Sequence, residues 1–130
     1  MTEANIGTPI YGYSQPRLMS PKLDLPSAGQ VVSDLADDLG MPLLPHQKLL
    51  FDEALYVKDG KFVRSTIGVI QARQNGKTHA MRMRILAGLY VFGEKSVIAI
   101  SQSRMLSLDT FRQVGDLAEG TAWTRKRIKR

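Results

Sequence analysis

Ile67-Gly-Val-Ile-Gln-Ala-Arg-Gln-Asn-Gly-Lys-Thr78 is the stretch whose reading decides the fold. Up to Gln71 it is a short apolar run of the kind that suits a buried strand. A polar stretch follows, and Gly76-Lys77-Thr78 then opens a helical pattern. Strand, tight loop and helix, with Gly-Lys-Thr at the turn, is the arrangement that cradles phosphate groups. Loop N–H groups and the helix N-terminus supply partial positive charge there. Lys77 is placed to reach the β/γ-phosphates of a nucleotide, and the Thr78 hydroxyl to complete a Mg²⁺ shell. Gly76 lets the backbone approach phosphate without a Cβ in the way. The usual loop reads Gly-x-x-x-x-Gly-Lys-Ser/Thr, and its first glycine falls where this chain has Gln71. Ala72, Arg73, Gln74 and Asn75 fill the loop instead, which puts a cation beside the phosphates.

Downstream of the loop, Thr78 to Phe92 carries apolar residues at helical spacing (Met81, Ile85, Leu86, Leu89 and Phe92) and stops at Gly93. Arg82 and Arg84 are expected to be exposed. Ser96-Val-Ile-Ala-Ile-Ser101 is a second apolar run, short and β-branched, as in a buried parallel strand. The unit is then strand, loop, helix, strand, with one right-handed crossover. A third helical pattern, capped by Ser103, has Leu106, Phe111, Val114 and Leu117 on its apolar side. Gln102 and Arg104 lie just past a strand's carboxyl end, where open α/β sheets put ligands, although caps and loop chemistry explain them equally well.

Upstream, Ser27 is placed to cap a helix running to Leu39, with Val31, Val32, Leu35, Ala36 and Leu39 inward and Gly40 as its stop. Asp34, Asp37 and Asp38 form an acidic cluster there, read as a solvated face in preference to a metal site. A second helix starts near Pro45 and buries Leu49, Leu50, Ala54 and Leu55. Its third residue, Gln47, has the amide geometry that pairs with the N6 and N7 edge of adenine. A surface polar residue is the competing reading, and His46 beside it is assigned no role. Asp59-Gly60 marks a turn. Residues 1–26, with Pro9, Pro16, Pro21 and Pro26, read as an extended or disordered arm, for which Tyr11, Tyr13, Leu18 and Met19 are docking candidates. Residues 27–130 form the body.

Length and an apolar fraction of 43% suit one domain, or part of a larger one. No cysteine is present, which excludes disulfides, thiol catalysis and a cysteine-based zinc site, and two histidines are too few for a histidine-rich metal site. No apolar run approaches the ~18 residues of a membrane span, and no secretory signal opens the chain. A soluble, intracellular protein is the expectation. Of the net charge of +6, five units come from Arg125, Lys126, Arg127, Lys129 and Arg130. Basic character therefore belongs to a tail, either a solvated helix end or a contact for nucleic-acid phosphates.

A phosphate-loop ATPase also needs a carboxylate at the end of another apolar strand, to hold Mg²⁺ and orient water. No apolar run downstream of Thr78 ends in Asp or Glu. Asp109, Asp116 and Glu119 fall within or beyond a helical pattern. Two strands alone also make a poor sheet. The chain reads as the front part of a larger ATPase domain.

The heptapeptide Ala72-Arg-Gln-Asn-Gly-Lys-Thr78 resembles the deviant phosphate loop of the large terminase subunits of tailed bacteriophages, the motors that drive DNA into capsids. Leu44-Pro-His-Gln47 is similar to that family's adenine-recognition segment, and Ser96 to Val114 to its next strand and helix. The resemblance covers roughly residues 40 to 130. It implies an α/β fold, part of a P-loop NTPase of the additional-strand, RecA-like type, with parallel strands in a three-layer α/β/α sandwich. It implies ATP and Mg²⁺ as cofactors. The loop from Gln71 through Ala72, Arg73, Gln74, Asn75 and Gly76 to Lys77 would hold phosphate. Thr78 would hold the metal, Gln47 the base, and Arg73 the developing γ-phosphate charge. The implied partners are double-stranded viral DNA, a small terminase subunit and the portal, with the motor a homo-oligomeric ring in the host cytoplasm, transiently docked at the procapsid. Another helicase-like or kinase-like phosphate-loop protein is the enzymatic alternative. A small basic DNA-binding or scaffold module, in which Gly-Lys-Thr is accidental, is the third reading.

Overall fold

The computed structural model describes residues 15–127. Its elements run α1 (Gly29–Asp38), α2 (Pro45–Ala54), β1 (Val57–Lys58), β2 (Lys61–Phe62), α3 (Lys77–Tyr90), α4 (Arg104–Gly120) and a single turn, α5 (Ala122–Arg125). Tyr11, Tyr13, Lys129 and Arg130 lie outside the described residues, while Leu18 and Met19 are exposed.

Local chemistry sets the helix ends. Ser27 Oγ accepts the N–H of Gly29 as α1 begins. Its far end closes as a Schellman motif, with Gly40 at φ 71°, its N–H donating to Asp37 and the Met41 N–H to Ala36. Pro45 opens α2, where a missing N–H costs nothing. Asp59 and Gly60, both at positive φ, make the tight turn between β1 and β2, which pair antiparallel with Val57 opposite Phe62. The Ala28 N–H donates to Leu55, and Val57 donates back to Pro26, so residues 26–28 run beside the chain leaving α2.

The core is helical. Val32, Leu35 and Ala36 of α1 and Phe51 and Ala54 of α2 meet Ala80, Met83, Leu86 and Ala87 of α3, with Leu43, Leu55 and Ala118 closing the cluster. On α3 the buried face matches the expected one only in part: Leu86 is fully buried and Met83 with it, while Met81 and Leu89, expected inward, are exposed. Small residues explain this, because Ala80, Ala87 and Gly88 let neighbouring backbone come close. Arg84, expected in solvent, makes a two-pronged ion pair with Glu94 (3.1 and 2.6 Å) and lies 5.7 Å from the rings of both Phe62 and Phe92.

The expected three-layer sheet of parallel strands is not formed. The sheet among the described residues is the two-stranded antiparallel hairpin β1–β2. Both runs expected as buried parallel strands, 67–71 and 96–101, form no strand and are largely open to solvent: Ile70 is fully exposed, and Ile98 and Ile100 are 84% and 86% exposed. The physical reason is coverage. A parallel sheet is stable when helices bury both its faces. Here α3, expected as the crossover helix, packs its apolar stripe against α1 and α4, so no layer is left to cover two lone strands. The N-terminal half of α4 stands off the core, with Met105 and Phe111 exposed, while Val114 and Leu117 further along pack against it half-buried.

Candidate functional site

The loop joins an extended segment to α3, and α2 supports it from below. Gly76 is the N-cap of α3 at φ 83°, a left-handed conformation that a Cβ penalises. A Cβ at Gly76 would also collide with the Gln47 side-chain amide. Gln74, at φ 60°, adds a second left-handed residue and bends the loop back on itself. The first helical bond runs from the Ala80 N–H to the Gly76 carbonyl at 3.1 Å. No side chain caps α3, and no acidic residue sits in its first turn. Its leading N–H groups therefore keep their partial positive charge for an external acceptor.

Lys77, exposed, donates its ammonium to the Gln71 carbonyl at 2.7 Å and so lies across the mouth of the loop. Gln71 in turn reaches the Asn75 carbonyl at 3.5 Å. Ala72, Arg73 and Thr78 are exposed around that mouth. The structure thus gathers the expected residues from Gln71 to Thr78 into one loop and helix start, entered from an exposed segment and not from a buried strand.

Gln47 lies beneath the loop. It is 2% exposed, its Oε1 accepts the Leu44 N–H at 2.8 Å, and its Nε2 donates to the Gly76 carbonyl at 2.9 Å. The first bond is the backward half of a capping box, with the glutamine at the third helical position. The sequence reading assigned nothing to His46, yet its Nε2 lies 3.0 Å from the Asn75 carbonyl. A carbonyl accepts, so that nitrogen carries the proton. Helical adjacency to Gln47 was the one signal available for it. Glu53 and Arg64 were missed as well. With Leu50 and Ile70 they line a groove that runs from the loop along α2. Glu53 accepts the Tyr56 hydroxyl at 2.9 Å.

His79, one residue beyond Thr78, ties the first turn of α3 to the Met41 carbonyl at 3.1 Å through Nε2. Its Nδ1 is buried without a partner. Burial holds its pKa below the usual histidine value, partly opposed by the Met41 carbonyl and assisted by the Arg82 charge.

Among the described residues no group of three or more His, Asp or Glu is placed to hold a metal ion. Asp109, Asp116 and Glu119 lie on α4, and Asp109 is paired loosely with Arg112 at 4.0 Å. Gln102 and Arg104 are exposed at the start of that helix. The basic tail is partly folded back. Arg125 donates to the Glu119 carbonyl at 2.7 Å, and Arg127 to the Tyr90 carbonyl at 3.0 Å while stacked 5.7 Å from the Trp123 ring. No helix among the described residues is long and apolar enough to cross a membrane.

No protein-family model, curated protein or solved structure matches the chain.

Proposed function

We propose that the loop from Gln71 to Thr78 and the N-terminus of α3 bind the phosphates of ATP with Mg²⁺. The observation that carries this reading is the left-handed Gly76 at the head of a 14-residue helix whose first turn is uncapped and free of acid, with Lys77 held across the opening. Backbone N–H groups at a helix N-terminus, a nearby ammonium and an approach free of Cβ are what a triphosphate needs. On ligand arrival Lys77 exchanges the Gln71 carbonyl for a phosphate oxygen, a stronger partner because it is charged. Thr78 offers its hydroxyl to the metal, and Arg73, exposed at the turn, supplies a cation for the terminal phosphate.

The finer reading is the ATP-binding part of a bacteriophage terminase large subunit, acting on double-stranded viral DNA in a ring with the small subunit and portal. Its support is the resemblance of Ala72 to Thr78 and of Leu44 to Gln47 to that family. Hydrolysis would also require a metal-holding carboxylate at the end of another strand, so binding is the activity to test first.

The test is the melting temperature with and without Mg·ATP, for the wild-type chain and Lys77→Ala. Ligand at 100 times its dissociation constant stabilises by about 2.7 kcal/mol, roughly 8–13 °C for a chain this size. A shift present in the wild type and lost in Lys77→Ala is the expected result. A cooperative melt that Mg·ATP leaves unmoved refutes nucleotide binding by this chain.

A further inference from the structure

Two successive side chains of α2 hold two successive carbonyls of the loop. His46 Nε2 meets the Asn75 carbonyl at 3.0 Å, and Gln47 Nε2 meets that of Gly76 at 2.9 Å. In a trans peptide the C=O and the following N–H point in opposite directions, and the described residues contain no cis peptide. Pinning the Asn75 oxygen toward α2 therefore aims the Gly76 N–H away from it. Pinning the Gly76 oxygen does the same for the Lys77 N–H. Those two N–H groups, at the cap and first residue of α3, are donors that a phosphate would use.

We infer that His46 and Gln47 are positioning residues that hold the loop carbonyls so that the Gly76 and Lys77 N–H groups face the phosphate, and that Gln47 does not read the base. The inference rests on the phosphate-binding reading above. Gln47 is buried, its oxygen is engaged by the Leu44 N–H, and its nitrogen by Gly76. Turning it toward an adenine edge would break both bonds and leave a backbone N–H and a carbonyl without those partners. The contact also explains why position 76 admits no side chain, since a Cβ there would take the place of the Gln47 amide nitrogen. Pre-set donors lower the ordering cost of binding, which is how a residue that never touches ligand raises affinity.

Gln47→Glu separates the two bonds. A carboxylate still accepts the Leu44 N–H but has no hydrogen to give Gly76. Binding of ATP, GTP and inorganic tripolyphosphate, each with Mg²⁺, is measured by calorimetry beside hydrogen exchange at Asn75, Gly76 and Lys77. A positioning role weakens all three ligands by the same factor, about tenfold for one lost hydrogen bond, and speeds exchange in the loop while α4 is unchanged. His46→Ala, which leaves the α2 cap intact, acts in the same direction and keeps the test open if Gln47→Glu does not fold. A loss confined to ATP, with GTP and tripolyphosphate unaffected, overturns the inference and makes Gln47 a base reader. Unchanged affinity with unchanged loop exchange overturns it too. If the wild type binds none of the three, the phosphate reading falls, and the positioning role falls with it. Loop exchange then reports only whether α2 braces the backbone.

Discussion

Three glycines in helices face different surroundings, and replacing each with alanine tests how the helices pack. At Gly115, in α4, an added Cβ meets nothing within 4 Å. Only the helix propensity changes there, and alanine gains about 0.5–1 kcal/mol. At Gly88, in α3, the Cβ would run into the carboxylate tip of Glu94 and come within 2.8 Å of Arg84 Nη1. Both are ends of flexible chains that can swing aside, at the cost of a half-exposed ion pair worth roughly 0.2–1 kcal/mol. Propensity and pair then offset each other, and the net change is expected within about 0.5 kcal/mol. Gly29, at the start of α1, is the hard case. Its Cβ would lie 2.5 Å from the Asp52 backbone nitrogen and 2.6 Å from its Cα. Backbone inside α2 does not swing aside, so the helices must part, at about 1–3 kcal/mol. At roughly 3–5 °C per kcal/mol, thermal melts should rank Gly115→Ala a few degrees above wild type, Gly88→Ala near it and Gly29→Ala about 3–15 °C below. Gly29→Ala melting at or above the wild type would refute the α1–α2 crossing as described.

Further outcomes follow from the core and the loop. Met83→Ala, at a fully buried site between α1 and α3, should cost about 2–5 kcal/mol in denaturant unfolding. A cost below 1 kcal/mol would mean that α3 faces another way. Thr124 is buried, and its hydroxyl is directed at the carbonyls of Ala118 and Thr121. Thr124→Val should therefore destabilise by about 1–2 kcal/mol, and a neutral result would deny that this hydroxyl anchors α5. His79 sets a pH dependence. Its folded pKa lies below its unfolded value of 6.5, so the unfolded chain binds more protons as pH falls below 6.5. That contribution to stability is full above the unfolded pKa and is lost as pH drops toward the folded one, because a second ring N–H would be buried without an acceptor. Melts at pH 7.5 and 5.5 should show a larger drop for wild type than for His79→Gln, and equal drops would remove His79 as the cause.

Much of the local structure was legible. Gly40, Pro45, the Asp59-Gly60 pair, Gly76 and Ser103 each sit where their own backbone chemistry puts an element end, because φ preference, a missing N–H or a capping hydroxyl acts within a few residues. The loop from Gln71 into the start of α3 at Lys77 could be read for the same reason: its special residues are contiguous. What the sequence could not settle was which partner each apolar face would choose. Ile67 to Ile70 and Val97 to Ile100 have strand composition, yet composition measures how well side chains suit a covered pleated surface, and not whether one is supplied. Helices α1, α2 and α3 found one another instead, and the strand-like runs stayed in solvent. Gln47 and His46 show the same division. Their chemistry as donors is written in the chain, but that they spend it on carbonyls 29 residues away was decided by the docking of α2 beneath the loop. Short-range sterics and capping are properties of neighbouring residues and can be read in order. Burial and long-range hydrogen bonds depend on which surfaces meet, and that belongs to the tertiary structure alone.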